Sequence, residues 1–283
     1  MLNVHKDRSD SLDLVIGGSI VYISWDTSSL DVKNVVHQIL RESKGIIRDN
    51  FIGLYVHGSL AMGGFNPQSS DIDIIIVTRK LLTVEAKVSL AQLLLRISNN
   101  PYPIEISFLN IEHLKKWEHP LSYDFHYSEY WRTRYEVDMA VGTKQYMNNG
   151  QQTDPDLAAH ITIINHRGIC VEGIPITEVF PSVPRADYIS SIMGDYSDCL
   201  TNIEIEPIYC TLNLIRVYWY LKEDVISSKY EAGIWGASTF PAEIAATVKK
   251  VLDCYKDEKG NIEIKRNELL LFRNYIVNQV GNY

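Results

Sequence analysis

Three acids and one glycine–serine turn carry the first chemical signal in this chain. Asp71 and Asp73 stand two residues apart in the run Ser69-Ser70-Asp71-Ile72-Asp73-Ile74-Ile75-Ile76. Alternate residues of an extended strand share a face, so the two carboxylates project together and Ile72, Ile74 and Ile76 project to the other side. Two carboxylates at the start of a buried strand repel each other and lose hydration. A divalent cation resolves both problems, and hard oxygen ligands suit magnesium, which also takes water and substrate phosphates.

Gly58 and Ser59 follow the apolar run that ends in Tyr55-Val56-His57. Glycine lets backbone amides come close to a phosphate, and the serine hydroxyl can bond one of its oxygens. Glu105, in Pro103-Ile104-Glu105-Ile106-Ser107-Phe108, faces away from Ile104, Ile106 and Phe108 by the same alternation. A carboxylate in an apolar strand is costly unless it is compensated. It can complete a metal site or accept the proton of an attacking hydroxyl as a general base. A lone D-x-D or Gly-Ser is common; the set, on neighbouring strands with a third acid downstream, is informative. A phosphate cradle beside a metal site is the pairing that nucleotide transfer requires.

The elements that position these residues are legible from periodicity. Ser28 or Ser29 caps a helix carrying Asp31, Val35, Val36, Ile39 and Leu40. Phe51 to Val56 reads as a buried strand and His57 to Ser70 as a loop rich in Gly, Ser, Asn and Pro. Ile72 to Thr78 is a β-branched central strand, Val84 to Ile97 a helix and Pro103 to Leu109 another strand. The run from Leu14 to Trp25 reads as an N-terminal strand or hairpin arm. Past residue 150 the pattern turns helical: Asp154-Pro155 starts one helix, and others follow at Arg185–Tyr196, Pro207–Lys222, Ser228–Trp235, Pro241–Tyr255 and Arg266–Val280. The expected organisation is α+β. A mixed sheet with helices spans 1–150, with 1–30 an extension of unassigned role, and an all-helical bundle spans 151–283.

Composition narrows the partners. The 283 residues hold 46% hydrophobic and 22% charged side chains, an ordinary globular balance. Lys plus Arg total 27 against 35 Asp plus Glu, a formal net charge of -8. Nucleic-acid binding needs clustered Lys and Arg, so it is disfavoured, and a cationic partner is favoured. No apolar stretch is long enough to span a bilayer. Cys170, Cys199, Cys210 and Cys254 form no C-x-x-C pair, which argues against a zinc site or disulfide framework. A monomer in the cytoplasm with reduced thiols is the expectation.

The order GS, then GG, then SDIDIIIVT resembles the nucleotidyltransferase fold shared with DNA polymerase beta. The chain as a whole resembles the streptomycin/spectinomycin adenylyltransferases from about residue 35 to about 256, notably in DLAAHITIINHRGICVEGIPITEVFPSVP and TLNLIRVYWYLKEDVISSKYEAGIWG. The resemblance implies transfer of AMP from ATP to a hydroxyl of an aminoglycoside-type antibiotic, conferring resistance. It implies Ser59 and Ser70 as ATP phosphate ligands with Gly58 in the same loop. Asp71 and Asp73 become magnesium ligands, two ions in the general template, and Glu105 a catalytic base that also touches metal. Asp156, Lys229 and Tyr255 become ATP contacts. The residues alone leave these last three open: Asp156 is equally a first-turn acid, Lys229 a solvated lysine and Tyr255 a core or surface side chain.

The drug site departs from the family pattern. Where the best-known members have a Gly-Glu-Trp segment, this chain has Ser128-Glu129-Tyr130-Trp131, so Tyr130 or Trp131 takes that place. The acidic loop before Pro207 offers Glu204 and Glu206 as partners for drug ammonium groups. Its Asp/Trp-rich version is absent, which leaves spectinomycin alone, or another acceptor, open beside streptomycin. Two rival readings share the core: an adenylyltransferase acting on a protein or other cellular acceptor, and a catalytically silent nucleotide-binding module.

Overall fold

The structure is a computed structural model, and it describes residues 23–148, 152–256 and 263–283. Residues 14–22 of the expected N-terminal arm, and Asn149-Gly150 at the expected divide, lie outside the described residues.

Helix α1 (Leu30–Ile47) starts where Ser29 accepts a hydrogen bond from the Val32 amide. It buries Val32, Val35, Val36, Ile39 and Leu40, the stripe its periodicity predicts. Strand β1 (Phe51–Val56) leads into α2, one turn at Gly58–Ala61 inside the expected loop. Then come β2 (Ile72–Thr78), α3 (Val84–Ile97), β3 (Ile104–Asn110), α4 (Ile111–Lys115), β4 (Leu121–Tyr123) and β5 (Phe125–Tyr127). Helices α5 (Arg132–Val141) and α6 (Gln145–Asn148) close this part.

Two strands fall in the stretch expected to be helical. Strand β6 (Gln152–Asp154) pairs with β4, and β7 (Ile169–Gly173) pairs antiparallel with β1. Between them α7 (Leu157–Arg167) begins two residues later than the Asp154-Pro155 signal implied. Asp154 is taken up by β6, and Asp156 is the capping residue instead. The main sheet runs β5-β3-β2-β1-β7, with β2 and β3 parallel and the other pairs antiparallel. It is mixed, as expected.

After α8 (Ile176–Val179) the chain is helical: α9 (Arg185–Asn202), α10 (Pro207–Glu223), α11 (Lys229–Thr239), α12 (Ala242–Lys256) and α13 (Arg266–Val280). Pro207 occupies the first turn of α10, where its missing N–H costs no helical bond. Ser228 and Glu231 close α11 with a reciprocal capping box.

Packing sorts the buried residues into three clusters. One, from Val32 to Met147, lies between the sheet and α1 and α3. A second, on the sheet's other face, joins Tyr55, Ile75 and Val77 to Leu157, Ile161 and Phe180. The third, from Tyr188 to Val280, is the core of the helical part. The sheet is therefore covered on both faces, which explains why β2 is apolar at nearly every position. Each of its fully buried isoleucines contributes on the order of 1.5–3 kcal/mol. Cys199 and Cys210 are buried, Cys170 and Cys254 half-buried, and all four are free thiols. Among the described residues no helix is long and apolar enough to cross a membrane.

Candidate active site

The parallel register of β2 and β3 sets Asp73 directly beside Glu105. Ile72, Ile74 and Ile76 face the core with α1 and α3, as do Ile104, Ile106 and Phe108. On the opposite face Ile75, Val77 and Leu109 lie under α7. Only the first positions of that face, at Asp73 and Glu105, escape this cover. They open instead into a cavity of about 750 Å³, a size suited to a nucleotide and a small acceptor.

The end of β1 closes one side of this opening. His57 N–H donates to the Asp73 carbonyl at 3.0 Å. Gly58 then takes a φ of +58°, a left-handed conformation that glycine adopts without steric cost. The following loop is tied to itself: Gly64 N–H donates to Ser59 O at 2.9 Å, and Asn66 N–H to Ser70 Oγ at 3.0 Å. The buried Ser59 hydroxyl has no protein partner and borders the cavity. Tyr255, from α12, donates its hydroxyl to Gly64 O at 3.1 Å and so joins the loop to the helical part.

Gly58, Ser59, Ser70, Asp71, Asp73, Glu105, Asp156, Lys229 and Tyr255 all line this one cavity. These are the nine positions singled out for metal, base and nucleotide. Tyr130, Trp131, Glu204 and Glu206 are not among its lining residues. Tyr130 is 75% exposed, and Trp131 packs partly against the core of the sheet. The Arg134 guanidinium stacks 4.9 Å and 4.5 Å from their ring centroids. Glu204 is engaged by Arg266 at 2.6 Å, and Glu206 sits exposed at the start of α10.

Several cavity residues escaped the sequence reading. His160 and Ile163 line the cavity from α7, at helical spacing from the expected Asp156 at its start. Asp195 and Tyr209 stand on α9 and α10, and Arg216 on α10. A lone arginine in the apolar run Leu214-Ile215-Arg216-Val217-Tyr218 was the one available signal for the last of these. His57 is buried, its ring 4.8 Å from that of His160, and its Nδ1 has no hydrogen-bond partner. His160 Nε2 lies 3.9 Å from Glu105 Oε1.

The electrostatics follow from the crowding of charge in a place water reaches poorly. Burial, then Glu105 and Asp71, push the Asp73 carboxyl up to about 7. Asp71 is raised by burial and by Glu105. Burial opposes charge on His160, but Glu105, Asp154, Asp73 and Asp156 outweigh it and lift the imidazole above its usual value. His57 is pushed well down by burial and by His160, so it is neutral. Asp156 is open to the cavity, yet the concave wall strips its hydration, and with Asp154 beside it the carboxyl rises to about 6. Burial and the neighbouring Arg216 lower Lys229, while Asp73, Asp195 and Asp71 work against them.

The arrangement has two poles. Lys229 and Arg216 form a cationic one, and Asp71, Asp73 and Glu105 an acidic one across the same space. Among the described residues no group of three or more His, Cys, Asp or Glu is arranged to hold a metal ion. Glu105 thus pairs with Asp73 in register without completing a three-residue set. The Asp71–Asp73 pair still fits magnesium, which takes one or two carboxylates and fills its octahedron with water and phosphate oxygens. The raised pKa values of both acids mark negative charge that a bound cation would relieve.

Comparison with known proteins accords with this geometry. Residues 40–146 match the profile of a nucleotidyltransferase domain. Residues 178–279 match that of the aminoglycoside adenylyltransferase C-terminal domain. The chain is 26% identical over 254 residues to a spectinomycin 9-adenylyltransferase of Enterococcus faecalis, covering 87% of this chain and 94% of the relative. It is 23% identical over 225 residues to one from Campylobacter jejuni, covering 78% and 84%. Its fold superposes with a TM-score of 0.74 on the crystal structure of spectinomycin adenyltransferase AAD(9) from Enterococcus faecialis with ATP and spectinomycin. That match has 24% identity and covers 90% of this chain and all of that one. With one profile on each half, the chain belongs to the aminoglycoside adenylyltransferase family.

Proposed function

We propose that this enzyme transfers the AMP moiety of ATP to a hydroxyl of spectinomycin, conferring resistance to it. The observation that carries the reading is the meeting of Asp71, Asp73 and Glu105 with Lys229 and Arg216 in one cavity. The relatives' names, spectinomycin 9-adenylyltransferase, favour spectinomycin over streptomycin.

ATP lies with its phosphates between Ser59, Ser70 and the Lys229–Arg216 pole. Asp71 and Asp73 would hold magnesium, which supplies charge neutralisation at the phosphate oxygens. Glu105 takes the proton of the acceptor hydroxyl as that oxygen bonds to the α-phosphorus. The bond from the α-phosphorus to the bridging oxygen breaks, and pyrophosphate leaves against Lys229 and Arg216. His160, with Nε2 at 3.9 Å from Glu105 Oε1, is placed to orient that carboxylate. Asp156 and Tyr255 border the ATP, and the acceptor's cationic groups face the carboxylate of Asp195.

The test is pyrophosphate release from Mg-ATP with spectinomycin, streptomycin, kanamycin and no acceptor. Release that depends on spectinomycin, and that is lost in Glu105→Gln while Mg-ATP still binds, is expected. Mg-ATP binding without release for any drug would transfer the reading to a protein or other cellular acceptor.

A further inference from the structure

The stripe of α7 that lines the cavity continues beyond it. Asp156, His160 and Ile163 border the cavity, and the next residue at the same helical spacing is Arg167, the last of the helix. Arg167 does not line the cavity. Its Nη1 donates to both carboxylate oxygens of Glu231, at 2.8 Å and 2.9 Å, and its Nη2 to Ile226 O at 3.4 Å.

Glu231 also serves the helix start. Its Oε2 accepts the Ser228 amide at 2.7 Å, while Ser228 Oγ accepts the Glu231 amide at 3.1 Å. The residue between these partners that enters the cavity is Lys229. Lys229 begins α11, where the helix dipole disfavours a cation, and it stands near Arg216, which repels it. Both effects push Lys229 out of the cavity when no anion is bound. Asp73, Asp195 and Asp71 attract it and its Nζ lies 4.3 Å from the Tyr209 ring centroid, but where it enters the cavity is set by the backbone at Ser227–Ser228, which is gripped from two sides: by Arg216 Nε on Ser227 O at 3.0 Å, and by Arg167 through Glu231.

We infer that Arg167 is a positioning residue for nucleotide binding, acting through Glu231 and Ser228 to hold Lys229 at the phosphate end of the cavity. The inference rests on reading the cavity as the nucleotide site. It also gives the Arg167–Glu231 pair a mechanical role. The pair clips α7, which carries Asp156 and His160, to α11, which carries Lys229, so both walls keep one spacing.

The experiment measures the Kd of Mg-ATP by calorimetry, the KM of the acceptor and the melting temperature. The proteins are wild type, Arg167→Gln, Arg167→Lys, Lys229→Ala and the Arg167→Gln/Lys229→Ala double variant. Arg167→Gln is expected to raise the Kd by roughly threefold to tenfold. The acceptor KM should stay within about twofold of wild type, with part of the loss restored in Arg167→Lys. In the Lys229→Ala background the same substitution should change the Kd by less than about twofold, because its target is gone. Should Arg167→Gln fail to fold, Glu231→Gln, which keeps an acceptor for the cap and loses the charge, carries the same cycle. An unchanged Kd in Arg167→Gln beside a weakened Lys229→Ala, or equal losses in both backgrounds, would overturn the inference alone. An unchanged Kd in Lys229→Ala would overturn the nucleotide reading as well.

Discussion

Gly58 and Asp73 occupy each other's space: a Cβ on Gly58 would stand 1.7 Å from Asp73 Oδ2. The backbone of the turn is thus packed directly on the carboxylate, and the His57 amide holds the same residue by its carbonyl. Gly58→Ala must either displace the Asp73 side chain or shift the turn, and it adds the strain of a positive φ, about 1–3 kcal/mol. The variant is expected to lose on the order of a hundredfold in kcat/KM, the scale for misplacing reacting groups by about 1 Å. Urea unfolding and steady-state kinetics check both effects. Near-wild-type turnover would mean the carboxylate need not stand where it does.

The raised Asp73 carboxyl makes a prediction about metal and pH. Its folded pKa is about 7, above the unfolded value of 3.8. The folded state therefore holds this proton more tightly, and the stability this contributes is full below about pH 4 and lost as pH rises through about 7. The slope is at most ~1.4 kcal/mol per pH unit. Without metal, this contribution to the melting temperature falls between pH 5 and 7.5. Magnesium must compete with the proton, so it stabilises strongly at pH 7.5 and little at pH 5. Asp73→Asn should abolish most of both responses. Melting curves with and without magnesium chloride decide it, and a magnesium shift equal at the two pH values would contradict the assignment.

Tyr255 links the helical part to the glycine loop through its hydroxyl, which donates to Gly64 O, and through its carbonyl, which accepts from Asn66 Nδ2 at 3.5 Å. Tyr255→Phe removes the hydroxyl bond and keeps the ring and the carbonyl. The expected cost in stability is about 0.5–1.5 kcal/mol, the usual net worth of such a bond. Because the loop carries Ser59 and Ser70, the KM for ATP should rise severalfold while the acceptor KM holds. A change in acceptor KM alone would place Tyr255 on the other side of the cavity.

Much of this site was legible because a strand has period two. That rule alone sets Asp71 and Asp73 on one face and Glu105 opposite its apolar neighbours, and the parallel register then brings Asp73 and Glu105 side by side. The helical pattern expected from Ser228 likewise begins where α11 does. What stayed hidden depends on contacts remote in sequence. His160 and Arg216 matter through where α7 and α10 pack, which local pattern does not encode. Strand β7 is too short, and too much like a helix connection, to reveal that the chain returns to the sheet after residue 168. The loop acids show the same limit: nothing local reveals that Arg266, 62 residues away, engages Glu204.

That last contact separates two sets of acids by their expected effect on the acceptor. Glu204 is exposed, outside the cavity and paired with Arg266, whereas Asp195 lines the cavity and receives one hydrogen bond, from Asn213 Nδ2 at 3.1 Å. A carboxylate facing a cationic acceptor contributes through a charge-assisted bond, typically ~1.5–3 kcal/mol. Asp195→Asn keeps the shape and the Asn213 contact region but loses the charge. It is expected to raise the acceptor KM roughly tenfold or more, leave the ATP KM near wild type and weaken the salt dependence of acceptor binding. Glu204→Gln breaks an exposed ion pair, so it should cost under about 1 kcal/mol of stability and leave both KM values within about twofold. Steady-state kinetics at two salt concentrations compare the two variants. If Glu204→Gln raises the acceptor KM and Asp195→Asn does not, then the loop before α10 moves over the cavity when the acceptor binds.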